Sequence, residues 1–217
     1  MTDRRIGIDF DNTLVLYDLV FRNCGIRRGL LPPDFRGDKD AARTAIRALD
    51  DGERRWTALQ AEVYGPHMAG AEMAPGALPV LAALRHAGWR IAIVSHKTQF
   101  AAADPGTDLR AAAWRWLEAS ALLQSAGGPI RKDDVFFEET RAAKIARIRA
   151  LDCDGFIDDL AEVFLEPDFP AHVARYLLVP DARRTPQGPF DVVRSWAEFG
   201  VRLDSLPARA TMRSRHG

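Results

Sequence analysis

The sequence has little cysteine, no surplus of either charge and no long apolar run, and each scarcity closes off a class of function. Cysteine occurs only at Cys24 and Cys153, far apart and outside any CxxC or Cys/His pattern. That excludes a disulfide framework or a zinc site, and the two thiols are expected buried and inert in a reducing compartment. The 30 Lys and Arg residues are matched by 30 Asp and Glu, so the chain lacks the positive excess on which nucleic-acid and polybasic membrane binding rest. The opening MTDRRIGIDFDNT has no apolar signal core. No stretch approaches the roughly 18 consecutive apolar residues of a membrane span. The expectation is a soluble, cytoplasmic protein with neither nucleic acid nor membrane as partner.

With 217 residues, 47% of them apolar and 28% charged, the chain has the make-up of one globular domain with room for an insert. Short apolar runs at 5–10, 89–95, 134–137, 155–158 and 174–179 read as strands. Between and after them, 75–87, 109–119, 140–151, 159–165 and 191–199 carry helical patterns. Strands with little alternation, interleaved with helices, predict an α/β fold: a Rossmann-like, doubly wound parallel sheet. The interval 15–74 holds no convincing strand. Ala42, Ala45, Ile46 and Leu49 mark one helical face there, and Trp56, Leu59 and Val63 mark another. The expected organisation is a core of residues 1–14 and 75–208, a helical cap of residues 15–74, and a solvated arginine-rich tail at 209–217.

In such a sheet, ligands bind beyond the carboxyl ends of the strands. The first strand candidate leads into Asp9 and Asp11, the second into Ser95, His96 and Lys97, and the fourth into Asp158 and Asp159. Four carboxylates on one edge repel one another unless cations intervene. An all-oxygen donor set suits a hard cation, Mg²⁺ ahead of Ca²⁺ or Mn²⁺. Lys144 supplies a second positive charge. It shares a helical stripe with Ile148 and Leu151, behind Thr140 as a candidate N-cap, and so faces the sheet at that same edge.

These segments resemble the motifs of the haloacid dehalogenase-like (HAD) hydrolase superfamily. Ile6-Gly7-Ile8-Asp9-Phe10-Asp11-Asn12-Thr13-Leu14 is similar to its first motif and Ile91–Ser95 to its second. Lys144 matches its third and Phe156-Ile157-Asp158-Asp159 its fourth. The resemblance runs from about residue 4 to residue 165, and the helical insert stands where that superfamily most often places a cap. It implies that Asp9 is the nucleophile, Asp11 the acid and base, and Lys144 a neutralising cation. Thr13 and Ser95, with His96 and Lys97 beside them, would contact the substrate phosphate. Mg²⁺ would be held by Asp9, Asp11 (through its carbonyl), Asp158 and Asp159.

Asn12 stands where that motif usually has glycine, a change asparagine tolerates in a left-handed turn. Lys97 competes with Lys144 for the lysine role, and Glu162 competes with Asp159 for the metal shell. Asp11 points within the superfamily to phosphatases and phosphomutases, since haloalkanoate dehalogenases lack it. The sequence therefore leads to a Mg²⁺-dependent phosphatase of a small phosphorylated metabolite, a sugar phosphate ahead of a nucleotide. Phe21, Arg22, Arg27, Trp56 and Tyr64 of the insert are candidate substrate contacts. The alternatives are a nucleotide monophosphatase or phosphomutase, a non-catalytic metabolite-binding protein, and a glycosyltransferase using Asp9-x-Asp11 as its metal motif. Oligomeric state is not legible.

Overall fold

The computed structural model describes residues 4–180 and 185–206; the tail expected at 209–217 lies outside them. In chain order the elements are β1 (Arg5–Ile8), β2 (Val15–Leu16), α1 (Asp18–Arg27), α2 (Lys39–Arg47), α3 (Gly52–Tyr64), β3 (Glu72–Met73), α4 (Ala77–His86) and β4 (Arg90–His96). There follow β5 (Phe100–Ala101), β6 (Asp104–Asp108), α5 (Leu109–Ala119), β7 (Val135–Glu138) and α6 (Arg141–Ala150). The chain continues with β8 (Gly155–Asp158), α7 (Ala161–Phe164), β9 (Ala174–Leu178), β10 (Asp191–Val193) and α8 (Trp196–Asp204).

Six strands form one sheet in the order β10-β9-β8-β1-β4-β7, and every pairing in it is parallel. The chain leaves β1 toward β4 and β7, then returns to β8 on the far side of β1 and winds outward to β10. Connections from β1 and β8 thus diverge, which opens a crevice at their carboxyl ends. Asp9 follows the last residue of β1 and Asp158 ends β8.

Side chains alternate across this sheet. Ile6, Ile8, Ile91 and Ile93 enter the core shared with α4, α5 and α8. Ala92, Val94, Phe156 and Leu177 enter the second core, beneath α6 and α7. Both faces are therefore buried, which is why the strands read as continuous apolar runs. Two indoles tie connecting segments to the core, Trp196 Nε1 donating to the Thr13 carbonyl at 3.1 Å and Trp116 Nε1 to that of Ala71 at 2.9 Å.

Two expectations are corrected. Positions 191–199 are not one helix: Asp191–Val193 add an edge strand beside β9, and α8 begins after Ser195, whose hydroxyl accepts from the Glu198 amide. The interval 15–74 is helical, as α1 to α3, but β2 and β3 pair antiparallel at its two ends and close its base. Beyond β4, the long connection folds back as the β5–β6 hairpin.

Candidate active site

The crevice between β1 and β8 is where the buried charges meet. Asp9 is held in place by its own amide, which donates to the Ile157 carbonyl at 2.9 Å. Lys144 lies one turn into α6, whose N-cap Thr140 accepts from the Ala143 amide. Its ammonium stands 2.5 Å from Asp9 Oδ1 and 2.7 Å from Asp158 Oδ2, and only 2% of the side chain is exposed. The other Asp158 oxygen accepts from the Leu160 amide at 3.0 Å.

Burial alone would lower the Lys144 pKa; Asp9 and Asp158 outweigh it and hold the group protonated. Asp9 is pushed well above the carboxylate range, first by burial, against which Lys144 acts, and further by Asp158, Asp159 and Asp11. Asp159 is raised to about 7 by burial and then by Asp158, with Lys144, Lys39 and a hydrogen bond from Thr13 opposing. One lysine does not neutralise this cluster, and the carboxylates retain protons as the remaining means of shedding charge.

Asp11 stands apart from that pair. Lys97, 4% exposed, lies 2.8 Å from its Oδ2 and 3.1 Å from its Oδ1, and the hydroxyl of buried Tyr17 donates to Oδ1. The two lysines that compete in the sequence therefore do different things: Lys144 serves Asp9 and Asp158, and Lys97 serves Asp11. Asn12 turns the chain between these carboxylates at φ 59°, the left-handed conformation that asparagine tolerates.

A cavity of about 90 Å³, room for roughly three waters at ~30 Å³ each, is lined by Asp9, Asn12, Ser95, Arg141, Lys144 and Asp159. Asp11 and His96 stand on its wall and also on that of a second cavity of about 270 Å³, which runs between α3 and the segment after β4. Ser95 and His96 thus reach the small cavity, whereas Thr13 does not line it. The Thr13 hydroxyl is spent on Asp159 Oδ1 at 3.2 Å. Of the five candidate substrate contacts in the insert, only Tyr64 lines this second cavity. Phe21 and Trp56 stack on each other in the core at 4.8 Å, and Arg27 turns to Cys24 Sγ and His67. Arg22 lines neither cavity. Cys24 and Cys153 are both buried.

No protein-family model matches the sequence, and no curated protein matches it. Solved structures do. An L-2-haloacid dehalogenase superposes with a TM-score of 0.60 at 13% identity, over 94% of this chain and all of that one (100%). A HAD family hydrolase from Deinococcus radiodurans with bound phosphate and sodium gives 0.53 at 20% identity, over 96% and 98%. A HAD hydrolase from Bacillus subtilis bound to magnesium gives 0.52 at 14%, over 93% and 98%. The fold is that of the HAD-superfamily hydrolases. At these identities the likeness extends to architecture alone.

On this HAD fold, the carboxylate oxygens of Asp9, Asp158 and Asp159 lie within 4.8 Å of one another. With the pKa values of Asp9 and Asp159 raised first by burial and then by neighbouring carboxylates, this oxygen set fits a hard divalent cation. Glu162 is exposed on α7 and stands outside the cluster, so Asp159 is the carboxylate positioned to complete it.

The sequence reading missed three groups. Tyr17 follows the first motif in an apolar context that gave no hint of a polar partner. Lys39, the first residue of α2, brings its ammonium 3.1 Å from Asn12 Oδ1. Burial would lower its pKa, but Tyr64, Asp11 and Asp159 more than reverse that. Arg141 opens α6, lines the small cavity and pairs with Glu166 at 3.0 Å. Its position three residues before Lys144 was the available signal.

Proposed function

We propose that this protein is a Mg²⁺-dependent HAD phosphatase acting on a small phosphorylated metabolite, with sugar phosphates preferred over nucleotides. The observation that carries the reading is the segregation of carboxylates in one cavity: Asp9 on Lys144 at the switch point, and Asp11 on Lys97 and Tyr17 at the mouth. Two carboxylates two residues apart thereby receive two environments, the usual way to divide nucleophile from acid–base work. A dehalogenase has no use for the second.

Asp9 attacks phosphorus, the bond to the ester oxygen breaks, and Asp11 protonates the departing oxygen. Asp11 then takes a proton from water, which attacks the aspartyl phosphate and releases inorganic phosphate from Asp9. Lys144 pairs with Asp9 and works against the burial that raises its pKa, while Ser95 and Arg141 line the space for the phosphoryl oxygens. Asp9, Asp158 and Asp159 would hold Mg²⁺, which when bound supplies charge neutralisation and orientation for the phosphoryl group. Release of phosphate from p-nitrophenyl phosphate tests the reading. It should require Mg²⁺ and vanish in Asp9→Asn; metal-dependent turnover that survives this substitution would remove Asp9 as nucleophile.

A further inference from the structure

The 270 Å³ cavity adjoins the phosphate-sized one and has no assigned occupant. At ~30 Å³ per water it holds the equivalent of about nine waters, just short of the ~300 Å³ at which drug-sized sites begin. One small organic group fits there.

Its wall is specific in what it offers. The lysine on it, Lys97, already contacts both oxygens of Asp11, and Asp11 itself stands on the wall, so a carboxylate or second phosphate would meet a like charge and an ammonium already paired. The aromatic ring on it, Tyr64, is engaged edge-to-face by Tyr17 and Phe21, with the Lys97 and Lys39 ammonium groups 5.2 and 5.7 Å from its centroid. A nucleobase would gain no open stacking face. Apart from Asp11 and His96, the other polar side chains are neutral, Thr57, Thr98 and Gln60, and they stand among three alanines and Leu109. Thr57 and Thr98 spend their hydroxyl protons on the carbonyls of Glu53 and Phe100 and so present acceptors. Gln60, part-buried on α3, lines the cavity and has no hydrogen-bond partner among the described residues. Its amide offers both a donor and an acceptor.

We propose that this cavity takes an uncharged, hydroxyl-bearing leaving group of about sugar size, and that Gln60 is the residue that selects it; the proposal rests on the phosphatase reading above. Hydroxyls suit such a wall because each can donate to a threonine oxygen and accept from the glutamine amide. A site built to hydrogen-bond a hydroxyl discriminates against groups that lack one, since its own polar atoms are then left unpaired.

The test compares kcat/KM for ribose 5-phosphate, glucose 6-phosphate, 3-phosphoglycerate, adenosine 5′-monophosphate and p-nitrophenyl phosphate in the Mg²⁺-supplemented full chain. A sugar phosphate should exceed both 3-phosphoglycerate and the nucleotide by tenfold or more. In Gln60→Ala the ratio of kcat/KM for the better sugar phosphate to that for p-nitrophenyl phosphate should fall about tenfold. A preference for the nucleotide or the carboxylate, or a ratio that Gln60→Ala leaves unmoved, overturns the assignment of the cavity while leaving the phosphatase reading intact. No release from any ester, p-nitrophenyl phosphate included, overturns the phosphatase reading and the cavity assignment with it.

Discussion

The Tyr17 hydroxyl donates to Asp11, and the tyrosine is 1% exposed. Burial, and then the Asp11 charge, push the phenol well above its ordinary pKa. Tyr17 is therefore a permanent donor, and with Lys97 it fixes where the Asp11 carboxylate points.

Removing that donor should show in the proton-transfer step. Tyr17→Phe keeps the ring that packs 4.8 Å from Tyr64 and deletes only the hydroxyl. We expect kcat for an alkyl phosphate, whose leaving oxygen needs a proton, to fall about tenfold, or ~1.4 kcal/mol. The loss for p-nitrophenyl phosphate, a good leaving group, should be smaller. Asp11→Asn should cost the alkyl ester ~10²–10⁴-fold. Equal losses on both esters in Tyr17→Phe would show that the hydroxyl serves structure instead.

Lys144 is the sole cation within hydrogen-bond reach of Asp9 and Asp158 among the described residues. Lys144→Met keeps the bulk of the side chain and strands two buried carboxylates. The expected loss is ~3–5 kcal/mol in the metal-free protein, read from urea unfolding. Mg²⁺ should restore part of it, because the same carboxylates can then bind the cation. A variant as stable as the parent would mean that Asp9 and Asp158 are held by groups other than this lysine.

The parts of this architecture that were legible in the sequence are those written in local pattern. β1, β4, β7, β8 and β9 showed as apolar runs because both sheet faces are covered, and Lys144 showed because one charge interrupts an apolar helical stripe. Asp191–Val193 was misread because three residues are too few for a period, and its strand character comes from pairing with β9. Lys97 was seen, but its partner was not: the pairing with Asp11 joins residues 86 positions apart, and neither residue's neighbours encode it. Lys39 belongs to the same class, its ammonium meeting Asn12 from 27 positions away, and Tyr17 turns back onto Asp11 through a bend of the chain that no local period announces.

Gly7 tests the close approach of the central strands. A Cβ there would lie 2.4 Å from Phe156 Cδ2 and 3.2 Å from Cys153 Sγ, against a ring that is fully buried. Gly7→Ala should destabilise by ~1–3 kcal/mol through overpacking. Combining it with Phe156→Ala should cost less than the sum of the two single changes, since the atoms in collision are then gone. Strict additivity in denaturant midpoints would show that β1 and β8 adjust without that collision.

The Asp159 carboxyl, raised to about 7 by burial and then by Asp158, links cation binding to pH with a definite sign. Its folded pKa lies above the unfolded carboxylate value of about 4. The metal-free folded protein therefore binds the extra proton between those values, and this group lowers stability as pH rises through that window. Ligation needs the ionised form, so Mg²⁺ affinity should rise as pH climbs through the Asp159 window. At a Mg²⁺ concentration of 100 Kd at pH 8 the gain is ~2.7 kcal/mol, or ~5–10 °C in Tm for a chain of this size. At pH 6 a Kd about tenfold weaker would cut the gain at that concentration to ~1.4 kcal/mol. Thermal unfolding with and without MgCl₂ at the two pH values measures the difference, and Asp159→Asn should shrink it. An equal Mg²⁺ gain at pH 6 and pH 8 would mean that the cation displaces no proton from this site.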